Sequence, residues 1–139
     1  MANEAVNKRN FQDGRLRIEV DEDLDHGVLT FRLEGRLDVF TYLSLKERMA
    51  AHYSGPFHRT WLVDLSKVTF VASSGWSVFI GTHAHLKTMG CTLGLVGLAP
   101  VVLRIYQSMG LGDLVPVFGT LADALRQIGL QTPDPLAVT

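Results

Sequence analysis

The sequence predicts an α/β fold, a mixed β-sheet of about four to five strands covered by about four helices. Three observations predict it. Two segments, Leu16–Val20 and Val28–Gly35, carry the strand patterns that open the folded part. Arg59–Leu65 is a near-continuous apolar run with β-branched and aromatic residues, the pattern of a strand buried on both faces. Beyond it, strand patterns alternate with helical ones up to residue 128.

Taken in order, residues 1–14 are polar and read as a flexible N-terminal arm closed by Gly14. Residues 15–128 read as one domain. "LRIEV" alternates apolar and charged residues, as a half-buried strand does. "DEDLDHG" is an acidic turn in which Gly27 supplies the bend. Val28–Gly35 follows and pairs antiparallel with the first strand. Thr41–Tyr53 is a helix with Leu45, Met49 and His52 at helical spacing and Thr41 as its cap. Arg59–Leu65 is the central strand. A helix from about Ser74 to Met89 ends at Gly90. Thr92–Gly97 is another core strand. Pro100 suits the first turn of a helix running to about Met109. "LVPVF" is a short extended piece in which Pro116 argues for an edge or a bend. Thr120–Ile128 is the last helix, capped by Thr120. Residues 129–139 hold two prolines and no periodicity, and read as a flexible C-terminal tail.

Composition narrows the function. The chain has 139 residues, 47% hydrophobic and 19% charged, enough for one domain with a real core. Thirteen basic and fourteen acidic residues leave a formal net charge of -1. No basic field draws it to nucleic acid or to an anionic membrane, so neither direct nucleic-acid binding nor membrane insertion is expected. The one cysteine, Cys91, excludes an internal disulfide and a thiolate metal cage, and reads as a buried, inert thiol. The polar N-terminus has no signal-peptide core, and no apolar run approaches the roughly 18 residues of a bilayer span. A cytoplasmic protein is the expectation.

The informative stretch is "VTFVASSGWSVFIG", Val68–Gly81, in which two serines and a glycine join an apolar strand to an apolar helix. A serine at a helix start satisfies an unpaired backbone N–H, worth about 1 kcal/mol. That reading needs only one of Ser73 and Ser74. The second serine suits modification, because a helix N-terminus tolerates a phosphate. A turn, a cap, a modification site and a nucleophile all remain open on this physics. At about 100° per residue, Ser74, Ser77, Gly81, His85 and Thr88 fall within a sector of about 80°. Trp76, Phe79, Ile80, His83, Ala84 and Leu86 cover the other side and are expected to face the sheet. Gly81 costs roughly 1 kcal/mol relative to alanine in a helix interior. Either it packs closely against another element of the domain, or the stripe is a strip on which a partner docks.

"LVDLSKVTFVASSGWSVFIG" and the following "GCTLGLVGLAPVVLRIYQSMGLGDLVPVFGTLADAL" resemble a STAS domain of the bacterial anti-sigma-factor antagonist type. "LEGRLDVFTYLSLKERM" is similar to the family's first strand-to-helix segment, with Asp38 at its acidic position. The resemblance spans about residues 15–128. It implies a non-enzymatic regulator that acts by partner switching. The unphosphorylated antagonist binds an anti-sigma factor that is also a serine kinase, and phosphorylation releases it. A PP2C-type phosphatase reverses the step. The resemblance makes Ser74 the phosphoacceptor, with Ser73 and Gly75 shaping the joint and Asp38 close by. With Ser77 and Gly81 these residues form the expected partner-binding set; no catalytic residue, cofactor or metal is implied. Two residues depart from the pattern. Ala72 stands where many members carry an aspartate, and Trp76 where the family prefers leucine. Ala72 lends weight to an alternative, a phosphorylation-independent STAS scaffold in a transport or stress-signalling assembly.

Other chemistries fit poorly. His83 and His85 are two apart on a helix and point roughly 200° from each other, which is wrong for zinc. His26, His52 and His58 read as surface histidines. "VASSGWS" is not a hydrolase nucleophile elbow, and Gly94 and Gly97 lack the lysine of a phosphate loop. Asp64 reads as a turn residue whose carboxylate takes nearby backbone N–H groups.

Overall fold

The computed structural model describes residues 8–12, 15–110 and 114–128. Among these residues six strands form one sheet in sequence order: β1 (Lys8–Gln12), β2 (Leu16–Asp23), β3 (Val28–Leu37), β4 (Thr60–Val71), β5 (Thr92–Val96) and β6 (Val117–Phe118). Among the described residues four helices join them: α1 (Tyr42–Ala50), α2 (Ser73–Thr88), α3 (Pro100–Ser108) and α4 (Leu121–Gln127). β1, β2 and β3 pair antiparallel, and β3 to β6 pair parallel.

The sheet has one strand more than expected. Lys8–Gln12, inside the stretch read as an arm, pairs with Arg17–Asp21. Backbone pairing along an edge does not require the apolar alternation by which strands are recognised. The other residues of the arm, and residues 129–139 of the tail, lie outside the described residues.

Alternation along β4 assigns the two faces. Trp61, Val63 and Leu65 join the large core cluster, with Leu45 and Met49 of α1, Trp76, Phe79 and Leu86 of α2, and Val102 and Tyr106 of α3. Leu62, one residue out of phase, points to the other face and packs with Val28, Val96 and Ala124 of α4. Parallel strands reached through helices require this double cover. Gly94 serves the thinner side, since a Cβ there would meet Phe118 at 3.0 Å and Ile128 and Leu62 at 3.2 Å.

The termini of the helices correct two expectations. Thr41 precedes α1 but makes no side-chain cap bond; its hydroxyl is committed to the preceding loop. α2 starts at Ser73 and its N-cap is Ala72, so neither serine caps the helix. Thr120 does cap α4, its hydroxyl oxygen accepting the Asp123 N–H at 3.1 Å. β4 runs six residues past the expected end at Leu65, through "SKVTFV", and that extension places the serines.

Candidate functional site

β4 delivers Val71 to the end of the sheet beside Leu37, the last residue of β3. The Ala72 N–H donates to the Leu37 carbonyl at 2.8 Å, and α2 begins at the next residue. The side chain of Leu37 is fully buried and lies under Gly75. The Ser73–Gly75 joint therefore stands beside Leu37, the residue that leads into the Asp38 loop. Ser73 is exposed and Ser74 half-buried. The Ser74 Oγ itself has no solvent contact and, among the described residues, no hydrogen-bond partner, while the Ser77 hydroxyl donates to the Ser74 carbonyl at 2.6 Å. A buried, unpaired hydroxyl costs about 1–3 kcal/mol, so no bond holds this rotamer inward.

Asp38 is buried within a small hydrogen-bonded turn. Its Oδ1 accepts the Phe40 N–H at 2.9 Å, and its own N–H donates to the Thr41 hydroxyl oxygen at 2.9 Å. The Thr41 hydroxyl donates to the Arg36 carbonyl at 2.9 Å and lies 3.3 Å from Asp38 Oδ1. Arg36 Nε is 3.5 Å from Asp38 Oδ2. Burial works to raise the Asp38 pKa, but the Phe40 N–H, the Thr41 hydroxyl and the Arg36 guanidinium together hold it below the ordinary 3.8. Asp38 is thus a fixed anion that shapes the loop beside the serine joint.

From Ser74 the polar stripe runs down α2 with Ser77, Gly81, His85 and Thr88 exposed. A Cβ built on Gly81 would meet nothing within 4 Å. Close packing inside the domain therefore does not explain this glycine. Gly81 borders a groove of about 320 Å³ between α1 and α2, whose α1 wall includes Tyr42 and Lys46. On the covered side, Trp76, Phe79 and Leu86 are buried as expected, joined by Val78 and Thr82. Ala84 is exposed, against expectation. α2 turns its Thr82 edge toward α1, so the buried arc is rotated from the predicted one.

One exposed cluster escaped sequence reasoning. Val39, Phe40 and Leu43 are 65%, 72% and 50% exposed, and Phe70 is partly exposed too. The Arg15 guanidinium sits 4.5 Å over the Phe40 ring, and that of Arg36 4.5 Å over Phe70. The Arg36 N–H donates to the Arg15 carbonyl at 3.1 Å, which ties the strands carrying the two cation–ring pairs together. Exposed aromatic and apolar side chains in one place mark interaction surfaces. A signal existed in the sequence: Leu43 is out of phase with the core positions Leu45 and Met49.

The remaining candidates resolve as follows. Trp76 is 2% exposed and its ring lies 5.2 Å from that of Tyr106, so it is a core residue as expected of its side of the helix; its indole N–H lacks a partner among the described residues. His58 is buried, not at the surface, with Nε2 3.5 Å from Glu22 Oε2; His52 Nδ1 is 3.8 Å from the same oxygen. His83 is half-buried, and burial, aided by Lys87, lowers its pKa below 6.5. Cys91 is buried, and burial raises its pKa above 9.0 against the pull of Arg59. Asp64 Oδ1 accepts the Ser66 N–H at 2.9 Å, the expected bond, although within β4 rather than a turn. Among the described residues no group of three or more His, Cys, Asp or Glu could hold a metal ion. No helix among them is long and apolar enough to cross a membrane.

The STAS domain model matches residues 17–124. The chain belongs to the STAS domain family. Within the match lie the serine joint, the Asp38 loop and the whole of α2. The anti-sigma-B factor antagonist of Listeria monocytogenes is 28% identical over 103 residues, covering 73% of this chain and 88% of that protein. The Bacillus subtilis anti-sigma-B factor antagonist is 27% identical over 103 residues, covering 73% and 92%. Among solved structures, an anti-sigma factor antagonist from Mycobacterium paratuberculosis superposes with a TM-score of 0.74 at 25% identity, over 84% of this chain and 97% of that one. The STAS fold also occurs in a sulfate transporter family protein from Wolinella succinogenes, with a TM-score of 0.63 at 15% identity, over 75% of this chain and 86% of that one.

Proposed function

We propose that this STAS domain is an anti-sigma-factor antagonist switched by phosphorylation of Ser74. Unphosphorylated, it binds a serine kinase that is also an anti-sigma factor, and so frees the sigma factor. The observation that carries this reading is the placement of Ser73 and Ser74 in the uncapped first turn of α2, at the head of an exposed strip of small residues. The names of its relatives point the same way. The kinase transfers the γ-phosphoryl group of ATP: a bond forms between Ser74 Oγ and phosphorus, the bond to ADP breaks, and the hydroxyl proton is lost. The positive end of α2 stabilises the dianion, so the fold survives. The partner surface must then be closed over a hydrated dianion, which costs several kcal/mol and drives release. A PP2C-type phosphatase hydrolyses the ester and resets the switch. Ser73, Ser77 and Gly81 belong to the docking surface and the Phe40 patch extends it, while Asp38 and Gly75, expected in the same set, are buried and shape it from beneath.

Ser74 must first turn outward, because its Oγ faces the interior. The residue is only half-buried and the hydroxyl has no bond to break, so a rotation about χ1 is all that is required.

The inward hydroxyl, with Ala72 before the serines, favours a second reading: a phosphorylation-independent STAS scaffold in a transport or stress-signalling assembly. Incubation with ATP and the cognate kinase, followed by phosphosite mapping, separates the two. Phosphate on Ser74, absent from Ser74→Ala, supports the switch. Phosphate on the exposed Ser73 alone moves the acceptor by one residue. No incorporation at either serine supports the scaffold.

A further inference from the structure

The groove between α1 and α2 points to the chemistry of what docks there. Lys46 stands on its α1 wall and His85 on its α2 wall, and among the described residues no aspartate or glutamate lines it. Its floor is the buried Val78 and Thr82, and its rim is low at the exposed Ala50, Ser77 and Gly81, with open space above the Gly81 Cα. Tyr42 and Tyr53 also line it, the Tyr53 ring 4.0 Å from that of His85. From Ser77 to His85 the α2 wall runs about 12 Å, roughly two helical turns. A low rim of small residues admits a helix backbone at close range, and a helix lies in such a groove through an apolar face. Charge complementarity then selects an acidic helix.

Resting on the antagonist reading, we propose that the α1–α2 groove receives an acidic amphipathic helix of the kinase, its carboxylates against Lys46 and its small or apolar side chains over Gly81. The groove begins one turn from Ser74, where the Ser77 hydroxyl already bonds the Ser74 carbonyl. A dianion on Ser74 stands at the mouth of this groove and repels the same carboxylates. Release then has an electrostatic cause beside the desolvation cost, and electrostatic causes are screened by salt. Lys46 is exposed on α1, so its replacement leaves the core intact.

The test measures the affinity of the intact protein for its cognate kinase by calorimetry, at about 50 and about 500 mM salt, for wild type, Lys46→Arg and Lys46→Glu. Circular dichroism checks that each variant is folded. At low salt Lys46→Glu is expected to bind at least tenfold more weakly and Lys46→Arg within about twofold, with the Lys46→Glu deficit shrinking to less than about threefold at high salt. Wild type that binds while Lys46→Glu binds equally well, or more tightly, overturns the acidic helix and leaves the antagonist reading standing. Wild type that does not bind the kinase overturns both.

Discussion

Leu37 lies directly beneath Gly75, so that a β-carbon on the glycine would come within 2.7 Å of Leu37 Cγ and 3.0 Å of Val71 Cγ1. Leu37 is fully buried and cannot retreat. This contact presses the first turn of α2 onto the ends of β3 and β4, and it fixes where both serines stand. Gly75→Ala is expected to destabilise the protein by about 1–3 kcal/mol through overpacking, reduced by up to about 1 kcal/mol of helix propensity. Urea unfolding measures the loss; an unchanged midpoint shows that the joint is looser than this contact requires.

Gly81 behaves in the opposite way. With nothing near its missing side chain, Gly81→Ala relieves a helix-interior glycine and raises stability by about 1 kcal/mol. Gly81→Leu keeps the fold and fills the groove. It is expected to weaken kinase binding at least tenfold while its melting curve stays at or above that of wild type. Unaltered binding by a folded Gly81→Leu protein removes the strip from the interface.

Phe40 separates surface from core. It is 72% exposed, so Phe40→Ala should shift stability by less than about 0.5 kcal/mol. Its effect should appear in binding, where an aromatic anchor is worth about 1–3 kcal/mol, or roughly five- to 150-fold in affinity. Titration of the kinase with the variant measures this; a change in stability without a change in affinity assigns Phe40 to the fold alone.

Asp38 makes stability depend on acid. Its pKa is depressed in the folded chain, so its contribution is present above the ordinary value of 3.8 and is lost as pH falls through the lower folded value. Wild type is therefore expected to exceed Asp38→Asn in unfolding free energy at pH 7, with the gap closing below about pH 4. A gap of constant size across that range assigns the loss to altered packing rather than to the charge.

The order of strands and helices was legible because alternation and apolar runs report burial directly. β1 was not, because Lys8–Gln12 lacks the apolar alternation and its pairing with β2 is what reveals it as a strand. The serines were visible as a joint, but their role as caps was misjudged: β4 carries the chain straight into α2 and leaves Ala72 at the cap position. The wheel located the exposed stripe on α2 correctly, misplaced Ala84 and left Thr82 out of the covered side, since a wheel has no knowledge of α1 on one flank. His58 looked like a surface residue because its burial comes from chain segments distant in sequence, among them Glu22 of β2. The Phe40 patch was hidden for the same reason, as Phe70 and Arg15 reach it from other strands.

The most direct measurement compares one protein in two states. The domain is made with phosphoserine installed at Ser74 and without it, and each is titrated with the cognate kinase. The account predicts at least a tenfold weaker affinity for the phosphorylated form, 1.4 kcal/mol or more, with superimposable far-ultraviolet spectra. Equal affinity of the two forms contradicts it.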